Sequence, residues 1–312
     1  MLRGERKVKK FIAFICIAVL TLALSACGSD STAVKGDSKG KIVVGGKDFT
    51  EQHILTKMTT IYLKEKGYEV EEASSMGSTV ARSALENGQL DVYWEYTGTA
   101  LLVYLKEPVE TNPDKAYQKV KEMDQKNGLT WLNKSDFNNT YALLMRQADA
   151  EKLGVKSISD LAKLVKKDPN KLKFATNSEF YARADGLKAL EKKYAFSFPA
   201  KSVTKMDTGL LYNSLKEGQV DVTVGFATDG RIKGFNLVVL EDDQQFFPAY
   251  NGAPVAREEI LKEHPEVKDL LNEMADRLNA ETMNDLNYRV DVKHEDVNKV
   301  ATEWLTEEGL LK

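Results

Sequence analysis

The sequence predicts an α/β fold of two similar lobes, built on mainly parallel sheets with a cleft between them. Three observations lead there. Short apolar strands alternate with amphipathic helices from Lys41 onward, the pattern of sheets crossed by helices. One stretch is stated twice: Leu85, Gly88, Gln89, Asp91 and Val92 recur as Leu215, Gly218, Gln219, Asp221 and Val222 at one constant offset, without a gap. In both copies a helix meets a glycine stop, a short buried strand follows, and an aromatic, Tyr96 or Phe226, stands where the strand ends. Ligands of open α/β sheets bind beyond the carboxyl ends of strands. Two such units therefore imply two lobes that each offer an aromatic to a shared cleft.

The elements follow in order. Residues 41–46 read as a strand. Asp48 or Thr50 is placed to cap a helix over 54–66. Gly67 ends that helix, and 68–73 is a second strand. The first copy of the repeat comes next. A further helix follows Thr99, 108–113 is a loop bounded by prolines, and 115–125 is helical up to the Asn127-Gly128 stop. Residues 131–141 are mostly irregular and 141–145 form an apolar strand. Residues 157–161 start a helix with a good cap, 173–175 is a strand, and the second copy ends in a turn at 229–232. Residues 237–240 are the last strand of this region and 241–250 return as a loop. Charged amphipathic helices over 265–279 and 294–305 close the chain.

At 312 residues, 42% hydrophobic and 29% charged, the chain has the make-up of one or two ordinary globular domains. Its net charge of −3 is unevenly spread. Residues 1–26 carry Arg3, Arg6, Lys7, Lys9 and Lys10 against Glu5, so the remainder is more acidic than the whole. An acidic body offers no footprint for nucleic acid. The start of the chain reads as an address: a basic segment precedes an apolar run over 11–24, too short for a comfortable membrane span. Leu24-Ser25-Ala26-Cys27 then resembles a bacterial lipobox, in which cleavage frees the cysteine and its thiol takes a diacylglycerol. This implies a signal peptide over 1–26, lipidation of Cys27 and a place on the extracytoplasmic face of the cell membrane. Cys16 lies inside the removed segment, so the mature body is left without thiol chemistry. Residues 27–40, small, polar and aperiodic, read as a flexible tether.

Beyond the repeat, the chain carries Lys47-Asp48-Phe49-Thr50-Glu51, Glu95-Tyr96-Thr97-Gly98-Thr99, Asn139-Thr140-Tyr141, Glu179-Phe180-Tyr181-Ala182-Arg183, Thr228-Asp229-Gly230-Arg231-Ile232 and Phe246-Phe247-Pro248-Ala249-Tyr250. In kind and order these resemble the substrate-binding proteins of osmoprotectant ABC importers, which take glycine betaine, choline, carnitine and related trimethylammonium compounds. The resemblance covers roughly 41–310. It implies a type II periplasmic-binding-protein fold, with lobe one at 41–140 and 250–312 and lobe two at 141–249. It also implies an ABC permease in the membrane as partner.

The ligand chemistry fits these residues. A trimethylammonium group has no hydrogen to donate and spreads its charge over methyls, so aromatic faces hold it best. By resemblance the cage positions are Tyr96, Tyr141, Phe226 and Tyr250. Phe226 departs from the commoner tyrosine: it keeps the π-face and loses a hydroxyl, which leaves the cage standing and bears on selectivity. Trp94, two residues from Tyr96 on the same strand face, is expected to be packing. For a betaine's carboxylate the resemblance implies Lys47 and Arg183, with a hydrogen bond from Thr99; the planar fork of arginine suits a carboxylate, whereas lysine is a point charge. Glu179 either orients Arg183 or faces the cationic end, and Asn139 contributes through its backbone or its amide. Lys47, Thr99 and Arg183 together favour a ligand with a carboxylate, glycine betaine or a related betaine; binding of choline, carnitine or ergothioneine is the alternative.

Catalysis finds little support. His53, His264 and His294 are far apart and lack metal-ligand spacing. Gly45-Gly46-Lys47 lacks the rest of a phosphate-binding loop. No cofactor is expected. A lipid-anchored enzyme or sensor on the same scaffold is the alternative from another class, since a fold does not dictate a function.

Overall fold

The computed structural model describes residues 38–312; the expected signal peptide, Cys27 and most of the expected tether fall outside the described residues. In chain order the strands are β1 (Lys41–Lys47), β2 (Glu69–Met76), β3 (Val92–Tyr96), β4 (Leu129–Trp131), β5 (Tyr141–Arg146), β6 (Phe174–Thr176), β7 (Val203–Lys205), β8 (Val222–Phe226), β9 (Leu237–Val239) and β10 (Gly252–Arg257). Among the described residues they form two five-stranded sheets, ordered β2-β1-β3-β10-β4 and β7-β6-β8-β5-β9. The two orders are the same plan used twice. In each, the first three strands are parallel, and the last two pairings are antiparallel.

The sheets are thus mixed rather than mainly parallel, and connectivity is the reason. Parallel neighbours are joined by helical crossovers. β5 and β10 instead arrive from the other sheet, along 132–140 and 240–251. They enter at the cleft, where the parallel strands end, and so run the opposite way: Tyr141 lies opposite Phe226, and Gly252 opposite Tyr96.

The repeated residues build this plan. We label the helices that matter here α1 (Thr50–Glu65), α2 (Ser78–Glu86), α3 (Thr208–Lys216), α4 (Ala280–Asp291) and α5 (Val297–Glu307). Gly88 and Gly218 follow α2 and α3 with the same left-handed φ of +74°, which a side chain would strain. Asp91 then accepts the amide of Val43 at 2.8 Å and pairs with Arg257 from β10 at 2.6 Å. Asp221 accepts the amide of Lys173 at 2.9 Å and pairs with Arg146 from β5 at 3.2 Å. The recurrent aspartate ties the parallel half of each sheet to its antiparallel half. Trp94 is buried in the core with its indole N–H on Thr59 at 3.0 Å.

Several local expectations give way. α1 starts at Thr50 with Phe49 as its N-cap and no side-chain cap; the Thr50 hydroxyl donates instead to Asp291 at 2.7 Å. The turn at 229–232 winds into a short helix, Arg231–Gly234. β10 was hidden by Pro254, since proline is depleted inside sheets. α4 has no counterpart in the sequence reading. The segment expected as one helix over 265–279 stops at Ala275, and Asn279 caps α4 by accepting from Thr282 N at 3.0 Å. α4 and α5 both pack on α1.

Candidate ligand-binding cleft

Between the two sheets lies a cavity of about 220 Å³, below the ~300–1,000 Å³ of drug-sized sites and suited to a small solute. Lys47, Tyr96, Thr99, Asn139, Tyr141, Glu179, Phe226 and Tyr250 line it. Strand ends deliver half of them: Lys47 closes β1, Tyr96 closes β3, Phe226 closes β8 and Tyr141 opens β5. Asn139 and Tyr250 lie on the two segments that cross between sheets. Arg183 does not line the cavity. It stands behind the wall, with its Cζ 5.4 Å from the centre of the Tyr141 ring.

The aromatics form a connected wall. Tyr141 lies 4.9 Å from Phe226 and meets Tyr250 edge-on at 5.7 Å. Tyr96 joins them through Phe49, whose ring is 6.1 Å from Tyr96 and stacks on Phe226 at 5.2 Å. Phe49 therefore carries the aromatic surface from one lobe to the other. Burial pushes the phenols of Tyr96, Tyr141 and Tyr250 well above their ordinary range, so all three stay neutral. Faces of neutral rings around a small cavity attract a cation without a large desolvation cost.

A family model described as the substrate-binding domain of ABC-type glycine betaine transport systems matches residues 40–307. The chain belongs to that family. As a substrate-binding domain it takes a betaine on the extracytoplasmic side for an ABC permease, and it is not an enzyme. It is 44% identical over 273 residues to a glycine-betaine-binding protein of Pseudomonas aeruginosa, covering 86% of this chain and 88% of the relative. It is 35% identical over 302 residues to the carnitine transport binding protein OpuCC of Listeria monocytogenes, covering 95% and 96%. Among solved structures, a glycine betaine/carnitine/choline ABC transporter protein matches with a TM-score of 0.70 and 31% identity, over 87% of this chain and all of that one. Among the described residues no helix is long and apolar enough to cross a membrane.

Both cations expected at the carboxylate end of this substrate-binding domain already have acidic partners. Lys47 Nζ pairs with Glu95, whose second oxygen accepts from Tyr93 at 2.7 Å and Tyr104 at 3.0 Å. Lys47 and Glu95 are both buried. Glu95 occupies one of the three donors of the ammonium, which leaves capacity toward the cavity. Arg183 forks onto Asp185, with Nε at 2.9 Å, and reaches Glu179 at 3.2 Å and the Tyr250 hydroxyl at 3.4 Å. Glu179 thus touches both Arg183 and the cavity. Asn139 gives its amide N–H to Glu51 at 2.8 Å, and its buried carbonyl oxygen has no hydrogen-bond partner among the described residues.

Several wall residues went unnoticed in the sequence. Met76 and Ser78 on one side and Met206 and Thr208 on the other line the cavity, at the offset of the repeat. That offset is the signal that could have found them. Phe49 lies within Lys47-Asp48-Phe49-Thr50-Glu51, but nothing local marks it as cavity wall rather than core.

Proposed function

We propose that the cavity holds the trimethylammonium end of glycine betaine against Tyr96, Tyr141, Phe226 and Tyr250, with the carboxylate directed to Lys47 and Thr99. Arg183 takes part from behind, steadying Tyr141 and Tyr250 and lending positive charge to the carboxylate end. The lobes, 41–140 with 250–312 and 141–249, close on the ligand, because aromatic surface from both is needed to surround the cation. A ligand that bridges both lobes shifts the open–closed equilibrium by its differential affinity for the closed state. Cys27 carries the lipid that keeps the protein at the membrane beside its permease. The observation that carries this reading is the convergence of four aromatics from both lobes, with Lys47, on one small cavity.

One observation favours a second reading. Lys47 and Arg183 are each matched by buried or half-buried carboxylates, so the surroundings also suit a cation without a carboxylate, such as choline. Calorimetry of the purified protein against glycine betaine, choline, carnitine and ergothioneine tests both readings. Glycine betaine is expected to bind tightest. Choline binding at least as tightly would overturn the carboxylate assignment. The anchor is tested separately: Cys27→Ala should release the protein from membranes or leave it unprocessed, and mass spectrometry showing an unmodified Cys27 in membrane-bound mature protein would refute it.

A further inference from the structure

Glu51 is a buried acid that none of the roles above employs. It lies in the first turn of α1 and is 3% exposed. One of its oxygens accepts from the Tyr96 hydroxyl and from Asn139 Nδ2, both at 2.8 Å. The other accepts from the Thr228 hydroxyl at 2.6 Å and from Asn287 Nδ2 at 3.2 Å. Gln52 donates to the Tyr96 oxygen at 3.0 Å, which turns the phenol's own proton toward Glu51. The carbonyl oxygens of Asn139 and Asn287 are buried and lack hydrogen-bond partners among the described residues. Two amides thus leave their acceptors unused in order to aim donors at one carboxyl. An ionised carboxylate only accepts, so four donors, two to each oxygen, form a shell for the charged state.

That charge has no cation of its own. Among the described residues no lysine, arginine or histidine pairs with Glu51. The charged groups of the elements around it are already engaged: Lys47 of β1 with Glu95 of β3, and Arg231 with Asp229 and, at 3.2 Å, with Asp291 of α4. Burial accordingly pushes the Glu51 pKa up, against its hydrogen bonds. The four donors also divide by place. Tyr96 and Asn139 line the cavity, whereas Thr228 belongs to the second lobe and Asn287 to α4, which itself bonds the Thr228 carbonyl at 2.9 Å.

We infer that Glu51 is a positioning residue for ligand capture: its carboxylate fixes Tyr96 and Asn139, ties them to Asn287 of α4 and, across the seam, to Thr228, and supplies the counter-charge that the bound ammonium completes. This rests on the cation-binding reading of the cavity. Cation binding favours ionised Glu51, so binding is linked to proton release, and affinity falls as pH drops through the raised pKa.

The test is calorimetry of the full chain with glycine betaine and choline from about pH 5 to 8, in buffers of different ionisation enthalpy. The proteins are wild type, Glu51→Gln, Thr228→Val and Asp291→Asn. Glu51→Gln should lower affinity about tenfold or more at neutral pH, equally for both ligands, and abolish the acid decline and the proton release. Thr228→Val, which keeps the charge, should lose less affinity and retain both features. Asp291, which burial raises to about 6, is the other acid that could titrate here; Asp291→Asn should retain both features, which separates Glu51 from it. Should Glu51→Gln not fold, the profile of Asp291→Asn decides: proton release on binding supports the inference, and its absence overturns it. A Glu51→Gln protein with wild-type affinity and profile, or with a loss that keeps the proton release, also overturns it. Wild type that binds neither ligand overturns the cavity reading instead.

Discussion

The two copies of the repeat follow one backbone plan and support it by different chemistry. At equivalent positions, α2 carries Arg82 and α3 carries Tyr212. Arg82 is buried and forks onto buried Asp124 at 2.6 and 2.8 Å, and Asp124 also accepts from the Trp131 indole at 2.7 Å. Tyr212 is buried as well, but its hydroxyl accepts the Phe226 amide at 2.8 Å, and Arg231 lies over its ring at 4.1 Å. The strands that follow diverge in the same sense. β3 holds Glu95 between Lys47 and two tyrosines, whereas β8 has Gly225 at the equivalent place. A Cβ at Gly225 would meet Tyr212 at 2.7 Å. At these positions the first lobe uses buried ion pairs where the second uses a tyrosine packed tightly on a glycine. What the copies share is turn and sheet geometry; what they present to the ligand was free to differ.

The largest test of this contrast is the pair Arg82→Ala and Tyr212→Phe. Burial works against the Asp124 charge, and the Arg82 fork outweighs it, holding the carboxyl below its usual range. Removing Arg82 strands that charge and should cost about 3–5 kcal/mol of stability. Tyr212→Phe loses one hydrogen bond and should cost about 1 kcal/mol. Urea denaturation measures both; equal costs would mean the two lobes are not built differently.

Next come the two cations, one from each lobe. Lys47→Met, made together with Glu95→Gln to keep the pair neutral, should weaken glycine betaine by roughly 1.5–3 kcal/mol, or ten- to more than a hundredfold. Choline should change much less. Arg183→Met should shift the betaine-to-choline ratio in the same direction by less, because Arg183 stands behind the wall. A ratio constant across wild type and both variants would show that neither residue reads the carboxylate.

The aromatic faces should give smaller effects. Tyr96→Ala and Tyr250→Ala are each expected to cost roughly 1–2 kcal/mol of binding, the scale of a desolvated cation–π contact. Full affinity in both variants would place the cation elsewhere. The smallest change is Phe226→Tyr, which restores the likeness between the copies at the strand end. It keeps the π-face, so affinity should stay within about 0.5 kcal/mol of wild type. A larger loss would mean that stacking on Phe49 cannot admit a hydroxyl.

The sequence by itself determined the α/β class and the twofold plan, because hydrophobic period, glycine stops and the recurrent aspartate are local signals. Motifs at strand ends were equally legible, since the end of a parallel strand is where such folds place ligands. Other features arise only when distant segments meet. β10 and α4 escaped because a central strand with a proline, and a helix cut from a longer charged run, are stabilised by neighbours rather than by their own pattern. The pairing of Lys47 with Glu95 and of Arg183 with Asp185 could not be read either, for a residue's type shows that it carries charge but not what neutralises it. Glu51 is the clearest case. In the sequence it is one acid in the first turn of a helix. Its four donors come from four other segments, up to 236 positions away, and only the folded chain removes water from around them and gathers them on one carboxylate beside the cleft.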